Sequence, residues 1–311
     1  MNVDYVRAYS LSNTAMAAPA TISTSGGTVT GSGGGTTTTL AEPHAILSNA
    51  TDPTNLSSSF SVPTLSPGTS ATYTAGQLGI SGVASGVTVT VADDVNNGLT
   101  VTNNGAWGAI KDVTINSPTN GNVNVSNFVD AQISLGNGGS TVTASGLMHG
   151  TISVGDGNST ISVNATSNSN KNDTTTINAG NGSDQISFTG ASNTKAAITA
   201  GNLGNTITVG GQASATVKSG TGNDDFVDKS TGSLTLTGGG GSDVFEFLAG
   251  AHATVTDFQA GQDSIVLHGL TASQIKVTDT RGGTFIALGN NSQVQLAGVS
   301  LTASQLHVTF A

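Results

Sequence analysis

The sequence predicts an all-β protein: a parallel β-solenoid, or β-roll, with coils of about 19–20 residues and a C-terminal β cap. From about residue 71 onward, short runs of Val, Ile, Thr and Leu alternate with clusters of Gly, Asn, Ser and Asp. Within each run apolar and polar residues alternate with period two, which is the pattern of a β-strand. Glycine-rich turns recur at nearly constant spacing, as stacked coils require. No segment has a sustained helical period.

The composition excludes several classes of protein. The chain has 311 residues, of which 43 are Gly, 8 are Lys or Arg and none is Cys, and its formal net charge is -10. Disulfides and Cys-ligated metal centres are therefore impossible. So few basic residues cannot form a surface that follows phosphates, so we expect no nucleic-acid partner. Because no run of 18 apolar residues occurs, we also expect no membrane insertion.

Residues 1–19 are predicted to contain an N-terminal strand. Asp4, Arg7 and Asn13 interrupt this segment, so it lacks the apolar core of a secretory signal. The first nine residues, MNVDYVRAY, also resemble the last strand of family 16 glycoside hydrolase domains. That resemblance implies that residues 1–19 end an upstream catalytic domain; an ordinary strand is the alternative.

Residues 20–70 are predicted to be a linker. Residues 20–40 consist mainly of Thr, Ser and Gly, and residues 41–70 contain four of the six prolines. The first composition is typical of flexible linkers, and the second of irregular, turn-rich segments.

Six glycine-rich turns define the coils. Their first glycines are at positions 136, 155, 180, 201, 220 and 239, which gives steps of 19, 25, 21, 19 and 19 residues. Two short strands and a second turn fit between successive turns. The longest step contains an insertion, Asn164–Asp173, which we expect to form a surface loop.

The fifth residue of each turn is predicted to stack into one column. These residues are Ser140, Ser159, Asp184, Asn205, Asp224 and Asp243, and Asp263 follows one period later. Coils of a parallel solenoid lie about 4.8 Å apart, so stacked carboxylates would repel each other unless cations lie between them. We expect the glycines to allow positive φ angles and to turn carbonyl groups outward. Carboxylate and carbonyl oxygens favour a hard cation, above all Ca²⁺. The alternative is that these Asp residues only close Asx-turns.

Three of these turns resemble a known repeat. GNGSDQISF, GTGNDDFVD and GGGSDVFEF are similar to the nonapeptides of RTX, or hemolysin-type, calcium-binding proteins. The resemblance places Phe226 and Phe245 at the inward apolar position. It implies calcium ligands in these three turns, to which Asn205 and Asp263 are added as further acidic or amide members of the column. The candidate metal residues are therefore Gly180, Gly182, Asp184, Asn205, Gly220, Gly222, Asp224, Gly239, Gly241, Asp243 and Asp263.

Two later segments extend the resemblance. VTDFQAGQDSIVLHGL, residues 255–270, resembles the segment that closes many RTX rolls. LTASQLHVTFA, residues 301–311, resembles the C-terminal ends of type I secretion substrates. Unlike the family pattern, only every second turn is acidic. We therefore expect a calcium-poor solenoid over residues 71–179, a one-edged calcium-binding β-roll over 180–263, and a cap with a secretion signal over 264–311.

The sequence offers no catalytic centre. Its two glutamates, Glu42 and Glu246, are about 200 residues apart, whereas glycosidases need two carboxylates that flank one bond. The five histidines share no metal-binding spacing, and no nucleophile elbow occurs. Trp107 could stack on a sugar, although a role in the core is favoured. We therefore predict that this chain is not an enzyme, with an upstream catalytic domain left open.

These patterns predict an extracellular calcium-binding structural or matrix protein, of surface-layer, biofilm or filament type. It would be secreted or held at the cell surface, and it would fold on Ca²⁺ after type I secretion. Its expected partners are calcium ions, further copies of itself and an extracellular polysaccharide. The alternative is a non-catalytic C-terminal module for the secretion and folding of a polysaccharide-degrading enzyme.

Overall fold

The computed structural model describes residues 58–62, 71–74, 87–91, 99–102, 112–166, 174–303, 305–306 and 308–311. Strands, joined by turns, dominate these residues, together with one short 3-10 helix at Ala272–Gln274. Among them, no helix has the length and apolar character needed to cross a membrane. The predicted strand over residues 1–19 and Trp107 lie outside the described residues.

The strands are β1 (Ser58–Val62), β2 (Ala71–Thr74), β3 (Val87–Val91), β4 (Leu99–Thr102), β5 (Asp112–Thr119), β6 (Asn122–Ser126), β7 (Asp130–Asn137), β8 (Thr141–Leu147), β9 (His149–Ser153), β10 (Thr160–Ala165), β11 (Thr174–Asn178), β12 (Gln185–Gly190), β13 (Lys195–Thr199), β14 (Thr206–Gly211), β15 (Ser214–Lys218), β16 (Asp225–Ser230), β17 (Ser233–Thr237), β18 (Val244–Leu248), β19 (His252–Val255), β20 (Ser264–His268), β21 (Lys276–Thr280), β22 (Gly283–Gly289), β23 (Ser292–Ala297) and β24 (Val308–Phe310).

From β4 to β20, successive strands alternate between two 11-stranded sheets. The even sheet has the order β2-β4-β6-β8-β10-β12-β14-β16-β18-β20-β24, and the odd sheet contains β5 to β19 in the same manner. Neighbouring strands of the solenoid are parallel, so each coil contributes one strand to each sheet. The pairing Ile207↔Phe226↔Phe245 gives a step of 19 residues, equal to the spacing of the turns. The predicted parallel β-solenoid is confirmed.

A separate two-stranded parallel sheet lies ahead of the regular coils. It pairs β1 with β3 in the register Phe60↔Val89. Because β1 belongs to the segment predicted to be a linker, regular structure begins earlier than the composition indicated. The reason is local, since SSFSV alternates polar and apolar residues as a strand does.

The core lies between the two sheets and is filled by alternate residues of both. In β12 the burial pattern runs exposed, buried, intermediate, buried, exposed, buried. The largest fully buried side chains include Phe188, Phe226, Phe245 and Phe247. The rings of Phe226 and Phe245 stack at 5.0 Å between centroids with an interplanar angle of 8°. The predicted inward position of these two residues is thus confirmed.

A β meander closes the C-terminal end, as predicted. β21, β22 and β23 are antiparallel to one another, and β23 continues the odd sheet beside β19 in parallel register. β24 continues the even sheet beside β20, where the N–H of Gly269 donates to the carbonyl of Ala311 at 2.9 Å. At this end the odd sheet is therefore extended by the antiparallel meander, and the even sheet by the single strand β24.

Phe245→Ala is expected to reduce the free energy of unfolding by about 3–5 kcal/mol, because the deletion leaves a cavity against the stacked ring of Phe226. Leu203→Ala is the control, since the Leu203 side chain is 54% exposed, and it should change the value by less than about 0.5 kcal/mol. Urea unfolding at fixed calcium concentration measures both. Equal losses for the two variants would contradict this account of the core.

Candidate metal site

The glycine-rich turns are the connections that lead from an odd strand to the next even strand. The last residue of each turn directly precedes the even strand, and we call these residues the ladder. Because residues two apart share one side of a strand, each ladder residue points inward like the apolar residue two positions later. All members of the ladder are buried: Ser140, Ser159, Asp184, Asn205, Asp224, Asp243 and Asp263.

Side chains of the ladder connect successive coils. Each ladder side chain from Ser159 onward accepts a hydrogen bond from the backbone N–H of the ladder residue one coil earlier, and Ser140 accepts one from Gly121, at the equivalent position of the coil before it. The Oδ1 atoms of Asp184, Asn205, Asp224, Asp243 and Asp263 accept these bonds at 2.8, 3.0, 2.7, 2.9 and 3.1 Å, respectively. The hydroxyls of Ser140 and Ser159 accept equivalent bonds at 3.2 Å. The structure therefore brings all seven predicted side chains into one hydrogen-bonded column.

The second carboxylate oxygen distinguishes three of the four acidic residues of the ladder, and outside the ladder Oδ1 of Asp225 and Oδ2 of Asp228 are also buried without a partner. Oδ2 of Asp184, Asp224 and Asp243 is buried and has no hydrogen-bond partner. Burial raises the pKa of all three carboxyls. For Asp243 burial is the main cause of a pKa of about 6, with the N–H of Asp224 opposing the rise and the nearby carboxylates of Asp263, Asp224 and Asp257 adding to it. When ionised, each of these carboxylates has a buried negative charge with no hydrogen-bond donor or cation at Oδ2.

The neutral ladder residues show which interaction is missing. Nδ2 of Asn205 donates to the carbonyls of Gly201 and Leu203 in its own turn at 3.1 and 2.6 Å. The hydroxyl of Ser159 likewise donates to the carbonyl of Gly157 at 3.2 Å. An ionised aspartate cannot donate, so its Oδ2 would need a proton or a cation between itself and such carbonyls. The expectation that turn carbonyls face outward is therefore wrong for Gly157, Gly201 and Leu203.

In the turns that end at Asp184, Asp224 and Asp243, the residues four and two positions before the aspartate are all glycines. Gly239 and Gly241 have φ angles of 93° and 120°, in the left-handed region that favours glycine. Positive φ was expected at all these glycines, but Gly180, Gly182, Gly220 and Gly222 do not have it. They are required because a Cβ would overlap the backbone of the preceding coil, as at Gly182 against Gly157.

Asp263 differs from the other acidic members of the ladder. Its Oδ1 accepts the N–H of Asp243, and its Oδ2 accepts the N–H of Gln259 at 2.7 Å. Both oxygens therefore have backbone donors, and the side chain also closes its own loop. This carboxylate therefore serves the backbone, as the Asx-turn alternative proposed, although its N–H donors lie before it in the chain and no Asx-turn is formed.

Two further aspartates stabilise the fold and were not among the candidate residues. Asp257 accepts the N–H groups of Gly238 and Gly239 at 2.9 and 2.8 Å, which fixes the start of the turn before Asp243. Asp228 is buried in the core, where its Oδ1 accepts the N–H and the hydroxyl of Ser230 and burial raises its pKa. Period-two alternation after Phe226 places Asp228 inward, so its sequence position contained this signal.

The potential donors in these turns are oxygen atoms. No group of three or more His, Cys, Asp or Glu side chains able to hold a metal occurs in the described part of the chain. The turns of Asp184, Asp224 and Asp243 instead each offer one unpartnered carboxylate oxygen. Among their glycine carbonyls, those of Gly220, Gly239 and Gly241 accept hydrogen bonds from the next coil. Such oxygen-only sets suit Ca²⁺, which takes roughly six to eight oxygens in flexible geometry.

Comparisons of this chain with protein-family models, with curated proteins and with solved structures find no match. Its proposed function therefore rests on the fold and on the ladder.

Gly239→Ala is expected to destabilise the protein, by about 2 kcal/mol or more, because of its positive φ and the overlap of a Cβ with the Gly220 carbonyl. Gly240→Ala is the matched control, since the nearest atom to its Cβ would be Thr221 Cα at 3.9 Å. Thermal unfolding of both variants tests this difference. The packing argument fails if the two substitutions have the same effect.

In chelator, stability is expected to fall as the pH rises from about 4 to about 6 and then to level off. The folded-state pKa of Asp243 is raised from 3.8 to about 6, and those of Asp184 and Asp224 are also raised. The unfolded chain therefore releases these protons at lower pH, which favours unfolding across that interval. Thermal midpoints measured from pH 4 to 7 should show a shallower fall for Asp243→Asn. A rise in the wild-type midpoint over this interval would contradict the prediction.

Proposed function

We propose that this chain is an extracellular, calcium-binding structural or matrix β-solenoid of RTX type, which folds on calcium after type I secretion. The observation that carries the proposal is the row of three buried carboxylate oxygens without a partner, at Asp184, Asp224 and Asp243. Each lies in a turn whose neutral equivalents donate a hydrogen bond to a turn carbonyl. A divalent cation would supply positive charge at these positions and join neighbouring coils.

Three groups of residues would hold the cations. Asp184 would act with the carbonyls of Gly180 and Gly182. Asp224 would act with those of Gly220 and Gly222, and Asp243 with those of Gly239 and Gly241. The Oδ1 atom of the following ladder residue completes each set, and for Asp243 that residue is Asp263. Bound cations would remove the electrostatic cost that raises the pKa values of these carboxyls.

Calcium-linked folding favours a location outside the cell. Cytosolic calcium is scarce and extracellular calcium is abundant, and extracellular modules typically bind it with weak affinity. A ligand that binds only the folded state contributes its binding free energy to stability. The buried, unpartnered carboxylates would therefore oppose folding inside the cell, whereas calcium would favour it outside.

A structural role agrees with the surface of the coils. The outward residues of β8, β10 and β12 are mainly Thr, Ser, Asn and Gln. Within the described ranges His149 lies 3.6 Å from the carboxylate of Asp130, and His268 lies 2.8 Å from that of Glu246. This weakly charged surface suits a matrix or filament protein. The resemblance of MNVDYVRAY to a glycoside hydrolase strand keeps the secretion and folding module as the second candidate.

Calcium titration of the wild-type chain is expected to increase its β-structure, as measured by far-UV circular dichroism. The double variant Asp224→Asn with Asp243→Asn should form β-structure in chelator, because two amides can donate to the turn carbonyls as Asn205 does. Asp156→Asn is the control, since Asp156 is exposed and outside the ladder. It should behave like the wild type. A wild-type chain already fully β in chelator and unaffected by calcium would overturn the proposal.

Light scattering during the same titration separates the two candidate roles. An increase in mass with calcium is expected for a matrix or filament protein. A folded protein that stays monomeric at all calcium concentrations would instead favour the secretion and folding module.

A further inference from the structure

We infer that Asn205 is a built-in substitute for a cation, and that it divides the ladder into two kinds of calcium site. Downstream, the turns of Asp224 and Asp243 would form a pair of sites, each beside two carboxylates. Upstream, the turn of Asp184 would form a single site beside one carboxylate. This inference rests on the proposed calcium-binding function.

The first support is the set of oxygens around the Asn205 amide nitrogen. Nδ2 lies 3.1 and 2.6 Å from the carbonyls of Gly201 and Leu203, 2.9 Å from Oδ1 of Asp224 and 3.2 Å from Oγ of Ser219. These four oxygens come from two successive coils. A cation that joined the coils would need such a set, and here an amide group with partial positive charge takes its place.

The second support is the residue that faces the amide from the next coil. Ser219 stands five positions before Asp224 and contributes its hydroxyl oxygen to the Asn205 amide. The corresponding residues before Asn205, Asp243 and Asp263 are Ala200, Gly238 and Phe258, which have no side-chain oxygen. Among these positions the hydroxyl occurs only in the coil after the amide, where it contacts both the Asn205 amide and the Asp224 carboxyl.

The third support is the charge of the next ladder residue. Oδ1 of Asp243 follows Asp224, and Oδ1 of Asp263 follows Asp243, so these two sites each combine two carboxylates. The residue after Asp184 is Asn205, whose Oδ1 is a neutral amide oxygen. Because calcium affinity increases with the number of charged ligands, we expect the Asp184 site to be weaker, by roughly tenfold or more.

The test compares calcium binding to the full chain with Asn205 or its neighbour replaced. Isothermal titration calorimetry should show that Asn205→Asp binds one more calcium ion per chain than the wild type and loses the weak class of site. Asn202→Asp is the matched control, because it adds the same charge in the same turn at an exposed side chain. It should leave the number of ions unchanged.

Asp184→Asn provides a second test that does not depend on the folding of the first variant. It should lose only the weak site and unfold at a higher temperature in chelator, because its amide could donate within its own turn. An unchanged number of ions in folded Asn205→Asp, or a lower unfolding temperature of Asp184→Asn in chelator, would overturn the inference. A wild-type chain that binds no calcium would overturn the proposed function, and the inference with it.

Discussion

The corner of the solenoid depends on one backbone constraint. The carbonyl of each ladder residue accepts the N–H of the first strand residue in the next coil, as Asp184 does from Thr206 at 2.9 Å. The N–H of the same ladder residue has no strand partner, and its acceptor is the ladder side chain of the next coil. A buried N–H without an acceptor is costly, so every ladder position needs a short side chain with an oxygen. Ser, Asn and Asp meet this need at the seven ladder positions, whereas Gly121, at the equivalent position before β6, donates to Ser140 and offers no side-chain acceptor.

The choice among these types decides whether every polar atom of a ladder side chain has a partner within the protein. Ser159 and Asn205 accept the N–H of the coil before and also donate within their own turns, so their side chains are satisfied within the protein. Asp184, Asp224 and Asp243 accept equally well but leave one buried oxygen without a partner. Such a residue adds no stability by itself over Asn. Its presence in three turns is understandable if folding responds to an external ion.

Sequence patterns were sufficient to predict the coil length, the two sheets, the inward phenylalanines and the members of the ladder. These features depend on period-two alternation and on turn spacing, both of which are local. The direction of the turn carbonyls and the reason for Gly180 and Gly182 depend on contacts between coils, which the sequence of one coil does not contain. The double role of Asp263 depends on the longer loop before it. Strand β1 was missed because prolines on both sides suggested a linker.

The ladder hydrogen bonds all run in one direction along the chain, and this gives the stack a polarity. Each coil supplies an acceptor to the coil before it, and Asp263 ends the series with its second oxygen held by its own loop. Removing coils from the N-terminal side would leave every remaining ladder N–H satisfied. Removing them from the C-terminal side would expose the N–H of the last ladder residue. Removal from the N-terminal side would instead expose strand N–H groups that donate to ladder carbonyls, as Thr206 does to Asp184. The two ends of the stack therefore differ in which backbone donors they leave unpaired.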